Sequence, residues 1–270
     1  MTQRSTLRRL WAGLITALFL AWAPGSQAAP TLIWLLRDLP PLTVFHGPQK
    51  GKGIVDQVMP ALIAGMPQYQ HVIMRVNRAR ALQMLEEPSL TCDPALIWNP
   101  ARALSIVYSE PVAIMHSNGM AILRENQHLI EPFVHDDKVD LPGLLKAQTL
   151  KLGIIAKRSY GVLIDSQLKL SPPGQIVMHY GNDPLGSLLQ MQHAGRMPTL
   201  LGYWPEIQAK ASQQGLSSDE LLFYPIQGAP EYQSIYVGCS DTAQGREVIR
   251  RVNSILTTLG SPSLSYLDEQ

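Results

Sequence analysis

The stretch Thr31–Leu36, with the sequence TLIWLL, is a continuous apolar run that is followed by the charged residues Arg37 and Asp38. An uninterrupted apolar run of this length is typical of a strand that is buried on both faces of a sheet. Further along, apolar residues recur at helical spacing over residues 54–66, and a second strand is predicted over residues 71–76. A strand, a helix and a strand in this order indicate a parallel β-α-β unit.

The alternation of strands and helices continues along the chain. Asn77 and Asp183 are each placed to cap a helix, and Gly260 is placed to end the last one. Further strands are predicted at residues 95–98, 152–156, 177–180, 200–203, 221–226 and 234–237. Further helices are predicted at residues 77–85, from about 159, from 183, at 206–213 and at 242–259. The pattern predicts an α/β fold with two sets of elements, each a mainly parallel sheet with flanking helices, separated near residues 115–126.

The first 28 residues have the three-part layout of a secretory signal. Three arginines precede a 14-residue apolar run over residues 10–23, and Ser26 and Ala28 are the small residues needed before a cleavage point. The alternative is an uncleaved membrane anchor, for which 14 residues are short. We expect cleavage after Ala28 and a periplasmic product.

The composition excludes several classes of protein. The 270 residues are 46% hydrophobic and 16% charged, which excludes a disordered chain and a small disulfide-stapled module. The net charge is +1, and without the three arginines of the signal it becomes −2, from 19 basic and 21 acidic residues. There is no basic excess that would neutralise phosphates, so we expect no nucleic-acid partner.

The sequence has two cysteines, Cys92 and Cys239. An even number of cysteines in an exported chain favours a disulfide, and two buried free thiols are the alternative. A bridge would tie an early segment to a late one. The chain would then leave its first lobe and return to it.

The sequence lacks the common motifs of catalysis and cofactor binding. It has no phosphate-binding GxxxxGK[ST], no dinucleotide-binding GxGxxG and no GxSxG nucleophile motif. His135, Asp136 and Asp137, with His128 upstream, offer metal-ligand chemistry, but the spacing is loose and a solvated loop explains them as well. We therefore expect no cofactor and no metal, and a binding protein rather than an enzyme.

Residues 99–111, with the sequence NPARALSIVYSEP, resemble the first-lobe signature of the family 3 extracellular solute-binding proteins. These are the periplasmic receptors for amino acids and similar solutes. The positions that carry the resemblance are Arg102, Ile106, Tyr108, Ser109 and Pro111. The segments GKGIVDQVMPAL, LKLGIIAKRSYG and HAGRMPTLL are also similar to segments of that family. The resemblance implies a two-lobed type II periplasmic binding protein fold that binds its ligand between the lobes.

The resemblance also implies ligand-binding residues. Arg102 would hold a carboxylate in the bidentate fork that a guanidinium favours, and a surface salt bridge is its alternative role. Arg158 and Ser159 would lie at a helix start that attracts anions, or in an exposed loop. Arg37 and Asp38 would lie at the carboxyl end of the first strand, where open sheets bind ligands.

Aromatic side chains are candidates for the walls of the cleft or for the core: Trp34, Trp98, Tyr203 and Trp204.

The sequence departs from the family where an amino acid would be held. The family's acidic residue after Gly-Arg-x is Pro198 here, and its second-lobe aspartate falls at Tyr203. The small hydroxyl residues expected before the signature arginine are replaced by Ala95, Ile97 and Trp98. These departures favour a carboxylate or another anion with an apolar or aromatic body over an ordinary α-amino acid.

The two lobes are predicted to divide the chain unequally. Lobe one is expected to comprise residues 29–115 and 228–270, and lobe two residues 116–227. The crossing segments are expected near residues 115–123 and 222–227.

The predicted function is the capture of a small anionic solute by a monomer that serves a membrane permease of an ABC transporter or a sensor protein. One alternative is a dehydratase-like periplasmic enzyme that uses Asp38 or Glu206 as its acid. Another is an accessory or sensory protein whose cleft is occluded by bulky side chains.

Overall fold

The computed structural model describes residues 28–260, so the signal predicted at residues 1–28 lies outside the described part except for Ala28. Within that part there are twelve strands: β1 (Thr31–Leu36), β2 (Gln70–Arg75), β3 (Thr91–Leu96), β4 (Ile106–His116), β5 (Gly119–Leu123), β6 (Val134–His135), β7 (Lys138–Val139), β8 (Leu152–Ile155), β9 (Ile176–His179), β10 (Thr199–Gly202), β11 (Leu221–Pro225) and β12 (Tyr232–Ser240). The same residues form seven α-helices: α1 (Ile54–Ala64), α2 (Arg78–Glu86), α3 (Leu141–Ala147), α4 (Val162–Lys169), α5 (Pro184–His193), α6 (Trp204–Gln213) and α7 (Ala243–Leu259). Short 3-10 turns lie at Arg102–Leu104, Arg124–Leu129, Glu131–Phe133 and Ser218–Glu220.

Ten of the strands form two five-stranded sheets. In the first, the order is β2-β1-β3-β12-β4, and β12 is antiparallel to both neighbours. In the second, the order is β11-β5-β10-β8-β9, and β5 is the antiparallel strand. Four strands of each sheet share one direction, which confirms the predicted mainly parallel sheets.

Helices cover both faces of each sheet. Successive residues of a strand point to opposite sides of the sheet, so one strand can pack against helices on both faces. In β1, Trp34 belongs to the apolar cluster that contains α1 and α7, whereas Leu35 packs toward α2. In β8, Leu152 packs toward α3 and Ile155 toward α5. We call the first sheet with α1, α2 and α7 lobe one, and the second sheet with α3, α4, α5 and α6 lobe two.

The chain passes between the sheets twice, at residues 117–118 and at residues 226–231. The predicted crossing segments are therefore mostly strand, since β5 lies in the first and β11 in the second. β4 has no counterpart among the predicted strands because Pro111 interrupts it. It is an edge strand of its sheet, and an edge tolerates a proline. The predicted bounds of the lobes stay a prediction.

The predicted helix caps are present. Asn77 Oδ1 accepts a hydrogen bond from the Arg80 amide at 3.0 Å, and Asp183 Oδ1 accepts one from the Gly186 amide at 3.2 Å. Each side chain satisfies an amide that the first turn leaves without an intrahelical partner. Gly260 ends α7 with a φ of 92°.

Cys92 and Cys239 form the predicted disulfide. They are directly opposite each other on the antiparallel strands β3 and β12, with their Cα atoms 4.0 Å apart. Both residues are fully buried. The bond joins the outgoing part of lobe one to the part that returns after lobe two.

Residues 135–137 form a hairpin turn. β6 and β7 pair in antiparallel fashion, and Asp136 and Asp137 have φ values of 50° and 57°. Positive φ at both central residues is what a two-residue type I′ turn requires, and aspartate tolerates it. Among residues 28–260, no three His, Cys, Asp or Glu residues are grouped so that they could hold a metal ion. No helix of the described chain has the length and apolar character needed to cross a bilayer.

Candidate ligand-binding cleft

Four arginines come together where the carboxyl ends of strands from the two lobes face each other. Arg37 follows β1, Arg78 follows β2, Arg102 follows β3 and Arg158 follows β8. Open sheets bind ligands at this edge, because the strands end there and the loops are free to form a crevice. Two cavities at this edge are lined by residues of both lobes. We call the region around these four side chains the arginine cleft.

Arg37 is paired within lobe one. Its Nη1 donates to Asp93 Oδ2 at 2.5 Å, and its Nη2 donates to the Ala95 carbonyl oxygen at 2.5 Å. Asp93 is fully buried. The charge of Arg37 is therefore balanced by a carboxylate of its own lobe.

Arg158 is paired within lobe two. Its Nη2 donates to Glu206 Oε2 at 2.5 Å, and the two side chains are only 3% and 5% exposed. The guanidinium lies 5.0 Å from the centre of the Tyr203 ring and 5.8 Å from that of Tyr160. Burial by itself lowers the pKa of Arg158, but the Glu206 carboxylate and the two rings outweigh burial and raise the pKa above its ordinary value. Arg158 and Glu206 thus form a buried, balanced pair in the middle of the cleft.

Lys210 of α6 reaches from lobe two to lobe one. Its Nζ donates to Asp38 Oδ2 at 2.6 Å and lies 3.4 Å from Asp183 Oδ1. Asp38 Oδ1 also accepts a hydrogen bond from the Phe45 amide at 2.8 Å. Burial lowers the pKa of Lys210, but the hydrogen bond and charge of Asp38, with the charge of Asp183, raise it above its ordinary value.

Two further hydrogen bonds join the lobes. Arg102 Nη2 donates to the Lys157 carbonyl oxygen at 2.8 Å, and Asn99 Nδ2 donates to Asp165 Oδ2 at 3.0 Å. Asp165 also accepts the Ser159 hydroxyl at 2.5 Å, within lobe two. Arg102 and Ser159 both line a cavity of the cleft, each is engaged by protein groups, and their role in ligand binding stays a prediction.

Tyr203 joins the lobes through apolar packing. It precedes α6 in lobe two but is 2% exposed and belongs to the buried cluster of lobe one. It lines the cleft cavity together with Leu39 and Ile235 of lobe one. Its ring occupies the place where the resemblance puts an aspartate.

Arg78, like Arg102, differs from Arg37 and Arg158 because it forms no ion pair with another described residue. It is the first residue of α2 and lines both cavities of the cleft. Within residues 28–260, its guanidinium has no carboxylate at ion-pair distance. Burial lowers the pKa of Arg78 well below its ordinary value, and the charge of Arg37 lowers it further, with Asp93 opposing. The Arg78 guanidinium therefore carries a charge in the cleft that no described carboxylate pairs at close range.

Little space is left in the middle of the cleft, although an open pocket of about 420 Å³ lies at its edge beside Arg37, Asp38 and Lys210. The cavity beside Arg102, Arg158 and Tyr203 offers about 10 Å³ to water, and the one beside Arg78 and Lys210 offers about 40 Å³. A single water needs at least about 10–15 Å³ on this measure. The lobes are closed, and side chains of the protein fill most of the space between them.

The tryptophans contribute little to this cleft. Trp34 is fully buried in the core of lobe one, and Trp204 stacks on Phe223 with ring centres 5.3 Å apart. Trp98 lies beyond the end of β3, which stops two residues before it, and is 42% exposed. It lines a separate pocket, and its predicted role in ligand binding stays a prediction.

Three residues of the cleft are absent from the sequence-based site: Arg78, Asp93 and Lys210. A signal for Arg78 is present in the sequence, since it follows a predicted strand just as Arg37 and Asp38 do. No local signal marks Asp93 or Lys210, because their partners are 56 and 172 residues away in the chain.

The sequence matches no family model and no curated protein. The structure is similar to a histidine kinase sensor domain described as similar to periplasmic binding proteins, with a TM-score of 0.63, 15% identity, and coverage of 85% of this chain and 90% of that chain. It is also similar to the histidine-bound substrate-binding protein of an ABC uptake transporter from Streptococcus pneumoniae, with a TM-score of 0.63, 10% identity, and coverage of 86% and 87%. An ancestral arginine-binding protein bound to arginine gives a TM-score of 0.63, 10% identity, and coverage of 86% and 92%.

The chain has the two-lobed periplasmic binding protein fold. Identities of 10–15% establish the fold, and the ligands named for those structures belong to those proteins. In the periplasmic binding protein fold of this chain, the arginine cleft lies between the lobes.

Proposed function

We propose that the chain is an exported, periplasmic solute-binding protein that takes a small anion between its lobes. It acts as a monomer and delivers the solute to a membrane permease, or reports it to a sensor protein. The single observation that supports the anion is the Arg78 guanidinium, which lines the cleft without a carboxylate partner in the described residues. Solute-binding proteins of ABC transporters share the fold, which supports the general role.

The charges of the cleft favour an anionic guest. Arg37 and Arg158 are balanced by Asp93 and Glu206, whereas Arg78 and Arg102 have no carboxylate at ion-pair distance among residues 28–260. A charge removed from water is costly unless an opposite charge or hydrogen bonds compensate it. A carboxylate or similar oxyanion would accept hydrogen bonds from the forked N–H groups of Arg78. Binding would therefore lower the free-energy cost of keeping the Arg78 charge away from water.

The solute enters when the lobes separate. Only about 40 Å³ is open beside Arg78 in the closed arrangement, which suits an anion of a few heavy atoms. A carboxylate with an apolar body requires a wider cleft, so it would hold the lobes further apart. Either solute would contact both lobes and favour the arrangement that it fits.

Calorimetric titration tests the proposal. Protein that has been unfolded and refolded to remove bound solutes is titrated with acetate, sulfate and benzoate. Arg78→Gln should weaken binding about tenfold or more, since a hydrogen bond to a charged group contributes about 1.5–3 kcal/mol. Arg80→Gln is the matched control, because Arg80 lies on the same helix, is half exposed and pairs at 3.8 Å with Glu87. Absence of saturable binding by any anion, or equal loss in both variants, would contradict the proposal.

The occluded sensory or accessory protein is the second candidate. Tyr203 and the Arg158–Glu206 pair fill the cleft, and a sensor domain shares the fold. If the cleft is occluded, anions cannot change the separation of the lobes, and the small-angle scattering profile of the protein would be the same with and without anions. The dehydratase alternative has less support, because Asp38 and Glu206 each accept a hydrogen bond from a cationic side chain. Turnover of prephenate or arogenate by the purified protein would support the dehydratase alternative.

A further inference from the structure

Another, larger cavity lies outside the arginine cleft. Its volume is about 540 Å³, within the range of about 300–1,000 Å³ typical of small-molecule sites. Trp98 and the residues of β12 form one side, and the first turn of α4 forms the other. We call it the Trp98 pocket. Its walls come from both lobes, so an occupant would contact both.

The β12 wall is held in place by its own partners. The Tyr236 ring meets the Tyr108 ring edge to face, with centres 6.0 Å apart. The Tyr232 ring lies against the His116 ring, with centres 4.7 Å apart. Since these rings are already fixed, binding requires little ordering of side chains.

Hydrogen bonds fix the junction between the two walls. Gln233 Nε2 donates to the Tyr160 carbonyl oxygen at 3.1 Å, and Gln233 Oε1 accepts from Asn118 Nδ2 at 3.1 Å. Gly161, which precedes α4, has a φ of 101°, and a Cβ at this position would collide with the Gln233 amide. The glycine thus allows β12 to approach the start of α4 closely.

The lining of the Trp98 pocket is aromatic and uncharged. It consists of Ile97, Trp98, Tyr160, Gly161, Val162, Leu163, Ile164, Ser166, Ala229, Pro230, Tyr232, Gln233, Ser234 and Tyr236. Three large apolar side chains in it are well exposed, namely Trp98 at 42%, Val162 at 54% and Tyr232 at 40%. Single exposed apolar residues are ordinary, but convergence in one concave pocket is typical of a binding site.

We propose that the Trp98 pocket binds a small, uncharged aromatic molecule. Ring faces and edges of Trp98, Tyr232 and Tyr236 offer offset-stacked and edge-to-face contacts. A charged ligand would lose its hydration there without gaining an opposite charge. Because α4 and β12 belong to different lobes, occupancy favours the closed arrangement. The site is separate from the anion site proposed above.

Indole is a suitable probe, measured by saturation-transfer NMR and by calorimetry on the purified protein. Val162→Gln and Trp98→Ala change exposed side chains and should each weaken indole binding about fivefold or more, as expected for lost apolar contact. Leu170→Gln is the control, because Leu170 is 85% exposed and lies outside the pocket. The affinity of the Leu170→Gln variant for indole should remain within about twofold of that of the unaltered protein, a negligible free-energy change.

Four results would overturn the proposal. The first is no saturable binding of indole, and the second is equal affinity in the pocket variants and the Leu170 control. The third is a change from dimer to monomer in Trp98→Ala by sedimentation, which would assign the pocket to a contact between copies of the chain. Preference for benzoate over indole would also contradict an uncharged ligand.

Discussion

Lys210 and Asp38, which are 172 residues apart in the chain, meet at 2.6 Å across the two lobes. Their side chains are 8% and 12% exposed. The pair therefore acts as a latch on the closed arrangement, because opening the lobes separates the two charges.

Lys210→Met should remove the latch and favour separation of the lobes. Methionine keeps the apolar stem but leaves Asp38 without its cation, which should cost about 3 kcal/mol of the free energy of unfolding. Small-angle scattering should show a larger radius of gyration. The control is Lys169→Met on the exposed end of α4. An unchanged profile in Lys210→Met would show that other contacts hold the lobes closed.

The latch should also depend on pH in one direction. The pKa of Lys210 is raised in the fold, because the charge and hydrogen bond of Asp38 outweigh burial. A base whose pKa is raised on folding contributes its full stability below its ordinary value of 10.5 and loses it as the pH rises through the folded value. The difference in unfolding free energy between the unaltered protein and Lys210→Met should be constant from about pH 6 to 9 and shrink above about pH 10.5. A difference that grows with pH would contradict the latch.

Glu206→Gln should destabilise the protein by about 3–5 kcal/mol, because it leaves the buried Arg158 charge uncompensated. Urea unfolding measures this loss. The double variant Arg158→Gln/Glu206→Gln removes both charges and should recover part of it. If the double variant is as unstable as the sum of the single variants, the two residues act independently.

Gly161→Ala should cost more than an ordinary glycine substitution. Alanine is strained at a φ of 101° and would also displace the Gln233 amide. Gly174→Ala is the matched control, since Gly174 has a φ of 81° but no atom within 4 Å of an added Cβ. We expect about 1 kcal/mol for the control and about 2–3 kcal/mol for Gly161→Ala, measured by thermal unfolding. Equal costs would mean that the Gln233 contact contributes nothing.

Cys92→Ala/Cys239→Ala should lose about 2–5 kcal/mol of stability. The bond closes a loop with a sequence separation of 147, which restricts the unfolded chain strongly. Denaturant midpoints of the double variant and of the reduced unaltered protein should agree. A loss below about 1 kcal/mol would show that the unfolded chain is already compact.

The fold was predictable where short-range physics determines it. The run Thr31–Leu36 is buried on both sides, and the caps Asn77 and Asp183 are formed by side chains acting on amides three residues away. β4 was not predicted because its proline is compatible with a strand only at the edge of a sheet, and edge position is a property of the tertiary structure.

The site was predictable only in outline. The resemblance and the strand ends led to Arg37, Arg102 and Arg158, which do converge. Neither the resemblance nor the strand ends could reveal that Asp93 and Glu206 balance two of these arginines, because such pairs form between distant parts of the chain. Arg78 and Arg102 are left without a carboxylate at ion-pair distance among residues 28–260, and only the arrangement of all four arginines shows this.

The bond between β3 and β12 has a consequence for proteolysis. All of lobe two is inserted between two strands that are covalently joined. A protease that cuts once between residues 118 and 226 would therefore produce two fragments that migrate as one band in a non-reducing gel and separate after reduction. A nicked molecule would keep both halves of lobe one together, and the exchange of one half between molecules would be blocked.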